Sequence, residues 1–348
     1  DLVCESRHRE RSRKGAVLMK STDFVQASAL ARASEGQFSH NDRVSKAADC
    51  ASVDALCAFV RSLFPQDAMP QDGLTLDALC DAYLSAAVKL VRSFSPVPAL
   101  FDSLLYKYDA ANLKLCIKAR ITDAPRPALF PFGTVGADEA YSAAEKNSYE
   151  AFPEGIRSGA EKALADYAST GEARSIDLAL DAGCFEDTAK SAAASGVPLL
   201  SELCAVRADS ANVTAYLRIA KTDLSDSAKR ALFDRAFVSG GTLTREKFAS
   251  GEFSTDALAS SLYGTELSVL LRSADAVTDA VREVEAYFDA KSEELLSAVK
   301  FVAFGPEVLC AFIVEHESDV RAFMTAGAYL RRGAAQNEIR GAVLGKRR

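Results

Sequence analysis

The tightest constraint in this sequence is a repeat. The stretch YDAANLKLCIKAR begins at Tyr108 and ADSANVTAYLRIAK begins at Ala208. Both hold Asp-x-x-Asn, then an aliphatic residue (Leu113, Val213), then a base six positions past the Asn (Lys118, Arg218). The second copy follows the first by 209 − 109 = 100 positions. Solenoid units are roughly 20 to 50 residues long, so a period this large points to a few duplicated helical domains instead. A third copy falls in CAFIVEHESDVRAFMTAGAY (Cys310 to Tyr329), where Asp319-Val320 takes the place of Asn112-Leu113 and Asn212-Val213. Three related units close naturally about a pseudo-threefold axis, because each then presents similar surfaces at similar angles.

The rest of the chain supports an all-α class. Leu76, Leu79, Cys80, Tyr83, Leu84, Ala87, Val88, Leu90, Val91 and Phe94 draw one continuous helical stripe that Pro96 and Pro98 end. Clustered β-branched runs of the kind that build strands are nearly absent. Helix starts are expected after Thr75, Asp109 and Asp209, residue types that cap free amides. Breaks are expected at TDAPRPALFPFGTVG (Thr122 to Gly136) and at the glycine pair of FVSGGTLT (Phe237 to Thr244). These breaks place three helical units at about 1–125, 126–240 and 241–348, and 348 residues suffice for two or three compact units.

Composition excludes several classes. Hydrophobic residues make up 49% and charged residues 26%, the balance of a globular protein. No apolar run reaches the 18 or so residues that span a bilayer, and the apolar part of RHRERSRKGAVLMK, Ala16 to Met19, is too short for a signal peptide. Eight cysteines stand singly with no Cys-x-x-Cys pair, the usage expected of a reducing cytoplasm. A net charge of −7 argues against nucleic acid as a partner, and only the first twenty residues and Lys346-Arg347-Arg348 are locally basic.

Candidate site residues have plain physical roles. Asp109 and Asp209 are expected as helix caps, with Asn112 and Asn212 beside them as polar contacts. Lys118, Arg120, Arg218 and Lys221 lie at or past the far ends of the same helices, where cations meet the negative end of the backbone dipole or a partner protein. Gly240-Gly241 lacks the Walker residues of a phosphate loop and is expected to turn. HESDV (His316 to Val320) begins like a zinc-protease helix but has Val320 where the second histidine must stand. His8, His40 and His316 have no nucleophile and carboxylate that sequence can join to them. No catalytic residue, cofactor site or metal site is expected.

Three segments carry a family resemblance: FDSLLYKYDAANLKLCIKARI (Phe101 to Ile121), RADSANVTAYLRIAKTDLSDSAKRALFDRAFVSGGTLTREKF (Arg207 to Phe248) and FGPEVLCAFIVEHESDVRAFMTAGAYLRRGAAQNEIRGAVL (Phe304 to Leu344). In order and motif they resemble the C-type (in eukaryotes, d-type) subunits of V-type and A-type rotary ATPases. Arg13 to Leu30 is more faintly similar to the family's opening helices, and Asp319 departs from the repeated asparagine. The resemblance implies a non-catalytic, three-lobed funnel on the cytoplasmic face of a membrane. Its partners would be the central shaft subunits and the proteolipid ring, and its work would be mechanical coupling for ion transport. Two rival readings share the fold class: a soluble adaptor that gathers partner helices in a groove, and an all-α enzyme with a deep pocket of groups with perturbed ionisation.

Overall fold

The computed structural model describes residues 20–344 apart from positions 36, 37, 72, 250, 251, 275 and 276. The basic segment before residue 20 and Lys346-Arg347-Arg348 lie outside the described residues. The protein is 75% helical, with no strand among the described residues, so its architecture rests on helix packing alone. Among the described residues the α-helices are α1 (Val25–Ser34), α2 (His40–Ala48), α3 (Val53–Ser62), α4 (Leu76–Phe94), α5 (Asp102–Ile121), α6 (Ala137–Lys146), α7 (Glu154–Thr170) and α8 (Arg174–Ser195), followed by α9 (Pro198–Ala220), α10 (Asp226–Ala236), α11 (Thr255–Ser261), α12 (Glu266–Ser273), α13 (Val277–Val299), α14 (Pro306–Arg331) and α15 (Gln336–Leu344).

Local chemistry sets many of the ends. Thr75 caps α4, its hydroxyl accepting from the Ala78 amide at 3.3 Å, and the expected stripe is buried along α4 except at Leu90, which is half-buried, and at the last residue, Phe94, which is 48% exposed. Pro198 and Pro306 occupy the first turn of α9 and α14, where the missing N–H costs nothing. Gly171 and Gly196 end α7 and α8 in the left-handed conformation.

The long helices α5, α9 and α14 each serve two cores in succession. Their first halves meet in one shared core, through Leu104, Leu200, Leu203, Leu309 and Phe312, together with α1 and the ends of α4 and α13. Their second halves enter three separate peripheral cores. Leu113 and Ile117 of α5 pack with α6, α7 and α8. Val213 and Leu217 of α9 pack with α10 to α13. Phe323 and Ala326 of α14 pack with α3, α4 and Ile339 of α15.

Helices α7 and α8 cross almost backbone to backbone. A Cβ on Gly183 would collide with Gly155 O, and Asp187 of α8 accepts from the first amides of α7, Gly155 N at 2.9 Å and Ile156 N at 2.7 Å. A buried carboxylate therefore caps one helix from the face of its neighbour. Gly183→Ala is expected to push the pair apart and cost about 1–3 kcal/mol. Gly341→Ala, where a Cβ on α15 meets open space, gains up to about 1 kcal/mol. Urea unfolding midpoints of the two variants check both signs.

Candidate functional site

The repeated Asp-x-x-Asn lies inside the long helices, not at their starts. Helix α5 begins at Asp102 and α9 at Pro198, so Asp109 and Asp209 cap neither, and the capping expectation is corrected. The helices extend upstream because Leu104, Leu200 and Leu203 are buried in the shared core. The two carboxylates are buried and are satisfied across space by loops. Asp109 accepts from Thr134 N at 3.1 Å, Thr134 Oγ1 at 2.5 Å and Val135 N at 3.1 Å. Asp209 accepts from Thr242 N at 3.0 Å, Thr242 Oγ1 at 2.6 Å and Leu243 N at 2.8 Å. Burial pushes the Asp109 carboxyl above the usual carboxylate range, against the pull of the Thr134 and Val135 donors.

Each asparagine completes a clamp by matching both backbone groups of a single loop residue. Asn112 donates to Phe130 O at 3.0 Å and accepts from Phe130 N at 2.8 Å. Asn212 does the same with Val238, at 2.9 and 2.8 Å. In both loops the residue before the threonine must be glycine, because a Cβ on Gly133 or Gly241 would strike the aspartate Oδ1. The expected turn at Gly240-Gly241 is thus one jaw of a clamp, with Gly240 at φ +96°. The signal in the sequence is the second half of the motif: FPFGTV (130–135) and VSGGTL (238–243) share an apolar residue, then Gly-Thr and an aliphatic residue at the same offsets.

The third copy uses different chemistry at the same place. Asp319 of α14 is fully buried and accepts from Arg43 Nε at 2.6 Å and Tyr83 Oη at 3.0 Å, with His40 Nδ1 at 2.6 Å. Arg43 in turn donates through Nη1 to Phe38 O at 2.7 Å, fixing the loop that leads into α2. His316, three residues before Asp319 as Asp109 is before Asn112, stacks on Tyr83 at 4.7 Å and shares a 2.7 Å hydrogen bond with Phe312 O. Burial lowers the His316 imidazole to about 4, so it is neutral at physiological pH.

Between the clamps, one carboxylate ties the three helices together. Glu317 of α14 accepts from Lys107 Nζ at 2.7 Å and Tyr108 Oη at 3.0 Å on α5, and from Arg207 Nη2 at 3.0 Å on α9. Burial alone would raise the Glu317 carboxyl, but Lys107 and Arg207 hold it below the usual range. Surrounding protein and the neighbouring Arg207 pull the Lys107 ammonium downward, while a side chain still 40% exposed lets water screen part of that effect.

The cations read as dipole or partner contacts are engaged within the chain. Lys118 pairs with Asp177 of α8 at 2.6 Å, and Arg120 donates to Asn147 Oδ1 at 2.6 Å and to Ala144 O. Arg218 pairs with Glu285 of α13 at 2.9 Å. Lys221 follows α9 as its C-cap, its amide donating to Leu217 O at 3.3 Å. Among the described residues no group of three or more His, Cys, Asp or Glu side chains is arranged to hold a metal ion. A cavity of about 960 Å³ has Arg43, Tyr83 and His316 on its wall, and these groups are already committed to Asp319 and Phe312. Among the described residues no helix is long and apolar enough to cross a membrane.

Duplicated clamps and a three-helix tie define an all-α fold held together by internal polar contacts. Residues 27–341 match the family model described as ATP synthase (C/AC39) subunit. The chain belongs to that family of rotary ATPase subunits, which are accessory to the catalytic ones. No curated protein matches the chain.

Removing an asparagine strands a backbone N–H and C=O together. Asn112→Ala and Asn212→Ala are each expected to cost roughly 2–4 kcal/mol, against about 1 kcal/mol or less for Lys118→Ala, whose ion pair is part-exposed; chemical denaturation compares them. A histidine at 6.5 when unfolded and about 4 when folded binds its proton first in the unfolded chain. Its contribution is therefore complete above pH 6.5 and is lost as pH falls towards 4, by about 3 kcal/mol. Unfolding midpoints between pH 7 and 4 should show this loss, and His316→Phe, which keeps the stacking, should flatten it.

Proposed function

We propose that this chain is the coupling subunit of the central stalk of a V/A-type rotary ATPase, joining the rotating shaft to the membrane proteolipid ring on the cytoplasmic face. The carrying observation is that α5, α9 and α14 converge on one shared core and are tied there by Glu317. A torque-transmitting part must have few alternative arrangements under load, and close-packed interiors tied by directional polar contacts supply that stiffness. The three peripheral cores then act as three lobes about a pseudo-threefold axis, a funnel whose mouth receives the foot of the shaft. On this reading the lobes follow the cores and not the consecutive spans 1–125, 126–240 and 241–348, since the third lobe joins α3 and α4 to α14 and α15.

Function is spread over surfaces, because two dissimilar partners held through rotation require interfaces commonly above about 1,000 Å². Lys118, Arg120, Arg218 and Lys221 contribute to them only through the exposed parts of their side chains. The partners supply the nucleotide chemistry and the ion path. The adaptor reading is favoured by one feature, an apolar groove of about 730 Å³ between α9 and α13.

Purified chain is expected to hydrolyse no ATP. Membranes lacking it should retain ATP hydrolysis by the heads while ATP-driven ion uptake falls at least tenfold, and adding the chain back should restore uptake. Undiminished pumping in its absence refutes the coupling role.

A further inference from the structure

Each long helix has one companion: α5 packs along α8, α9 along α13 and α14 along α4. Two of these pairs carry a cavity at the same register. Ala205 and Asp209 of α9 line the groove of about 730 Å³ beside α13. Phe312 and His316 of α14, each 107 positions further on (312 − 205 and 316 − 209), line the cavity of about 960 Å³ beside α4. The same offset sets Val320 against Val213 in the repeat, so the two cavities are counterparts. At the α14–α4 pair the position across both helices is taken by α1, which packs on each of them. Phe24, with Ala27 and Ala31 of α1, joins Ala87 of α4 and Leu309 and Phe312 of α14 in the shared core, and Ala33 and Ser34 at the end of α1 form part of the cavity wall.

Across α9 and α13 that position is open. Apart from Thr242, Val302 and Glu307, the wall of the groove comes from those two helices alone. It runs beside α13 from Tyr287 to Val299, about 18 Å or about three turns of helix. Leu199, Val206, Leu295 and Val299 make it apolar, and Glu202, Glu294 and Glu307 stand on its rim. Lys291 also lines it and is committed to Glu294 at 3.3 Å and Glu266 at 3.5 Å. Among the described residues Glu202 and Glu307 pair with no cation. A trough between two parallel ridges of side chains accepts a third helix at the usual packing distance of about 8–10 Å. It offers no free backbone edge to which a strand could add, and an acyl chain would cover the wall and leave the carboxylates unmet.

We propose that the α9–α13 groove receives one amphipathic helix from a partner protein, laid across the pair as α1 is laid across α14 and α4. The occupant carries small and aliphatic residues on the stripe that faces the wall, and lysine or arginine on the flank that faces Glu202 and Glu307. The apolar stripe supplies the attraction, and the two carboxylates set its register and reject an acidic helix. This contact goes beyond the coupling role and does not rest on it: loss of pumping tests that role, whereas the groove is tested on the isolated chain.

The test titrates the full chain into a fluorescein-labelled synthetic helix of about 16 residues, with alanine and leucine on one stripe, lysine on both flanks and a benzoylphenylalanine within the stripe. Anisotropy reads the affinity and mass spectrometry maps the photo-adducts. The expected result is saturable binding with adducts confined to residues 199–209 and 287–302. The same peptide with glutamate in place of lysine should bind roughly tenfold more weakly. Glu202→Lys, at an exposed position on α9, should weaken the lysine peptide at least threefold and strengthen the glutamate peptide. Ala205→Trp, which fills the groove, should remove the adducts, with circular dichroism checking that helicity is kept; should helicity fall, the charge reversal at Glu202 decides alone. No saturable binding, adducts on other faces, equal affinity for the two peptides, or indifference to Glu202→Lys each overturn the proposal.

Discussion

A carboxylate or carboxamide buried in the middle of a helix is costly unless its hydrogen-bonding capacity is met nearby, and in this protein loops meet it. Asp109 with Asn112, and Asp209 with Asn212, take up the backbone of residues 130–135 and 238–243. The position of the clamps along the helices matters as much as their chemistry. In α5 the shared core ends near Leu104 and the peripheral core begins with Ala110; in α9 the change falls between Cys204 and Val213; in α14 it falls between Val314 and Phe323. Each polar pair occupies the point where its helix leaves one core for the next. A clamp there fixes how a peripheral unit is set on the common centre, which apolar packing alone would leave less sharply defined.

Glu317 adds the remaining link, reaching two neighbouring helices from α14 at nearly the same level. Buried ion pairs are weak evidence for net stability, since desolvation offsets much of their attraction. Their geometric demand is the relevant property. Sliding α5 or α9 along its axis by one residue, about 1.5 Å, would break a 2.7 or 3.0 Å contact and leave a charge buried without its partner. The tie therefore opposes relative motion of the helices even if it contributes little to folding, which is the behaviour a mechanical coupling element requires.

Much of this is legible in the residues. The α4 stripe, its Thr75 cap, the all-helical class and the repeat at positions 112, 212 and 319 follow from spacing and residue type. Asp109 and Asp209 resemble caps because α5 and α9 bury different faces along their length, first towards the shared core and then towards a peripheral one. No single stripe runs through such a helix, so a capping residue type at the point of change looks like a start. Gly-Thr with an aliphatic residue at 133–135 and 241–243 is visible in the sequence, but its meaning depends on a carboxylate 24 to 34 positions upstream, as with Asp109 and Gly133 or Asp209 and Leu243. The contact of Arg43 with Asp319 spans 276 positions, and no local pattern announces it.

The departure at Asp319 has its own logic. An asparagine both donates and accepts, so it can satisfy the N–H and C=O of one loop residue at once, as Asn112 and Asn212 do. An ionised aspartate accepts only. At the third position it cannot hold a loop carbonyl, and Arg43 acts as the relay: its Nε is fixed by the carboxylate and its Nη1 presents a donor to Phe38 O. An acceptor is thus converted into a donor one guanidinium further out, and the helix-to-loop attachment survives the change of side chain. The relay also decides which segments form the third unit, because Arg43 and Tyr83 come from the early part of the chain and Asp319 from the late part. The first two clamps join segments within about 34 residues of each other, whereas this one can form only when both distant segments are in place, so the unit that closes the arrangement is the one held by charge.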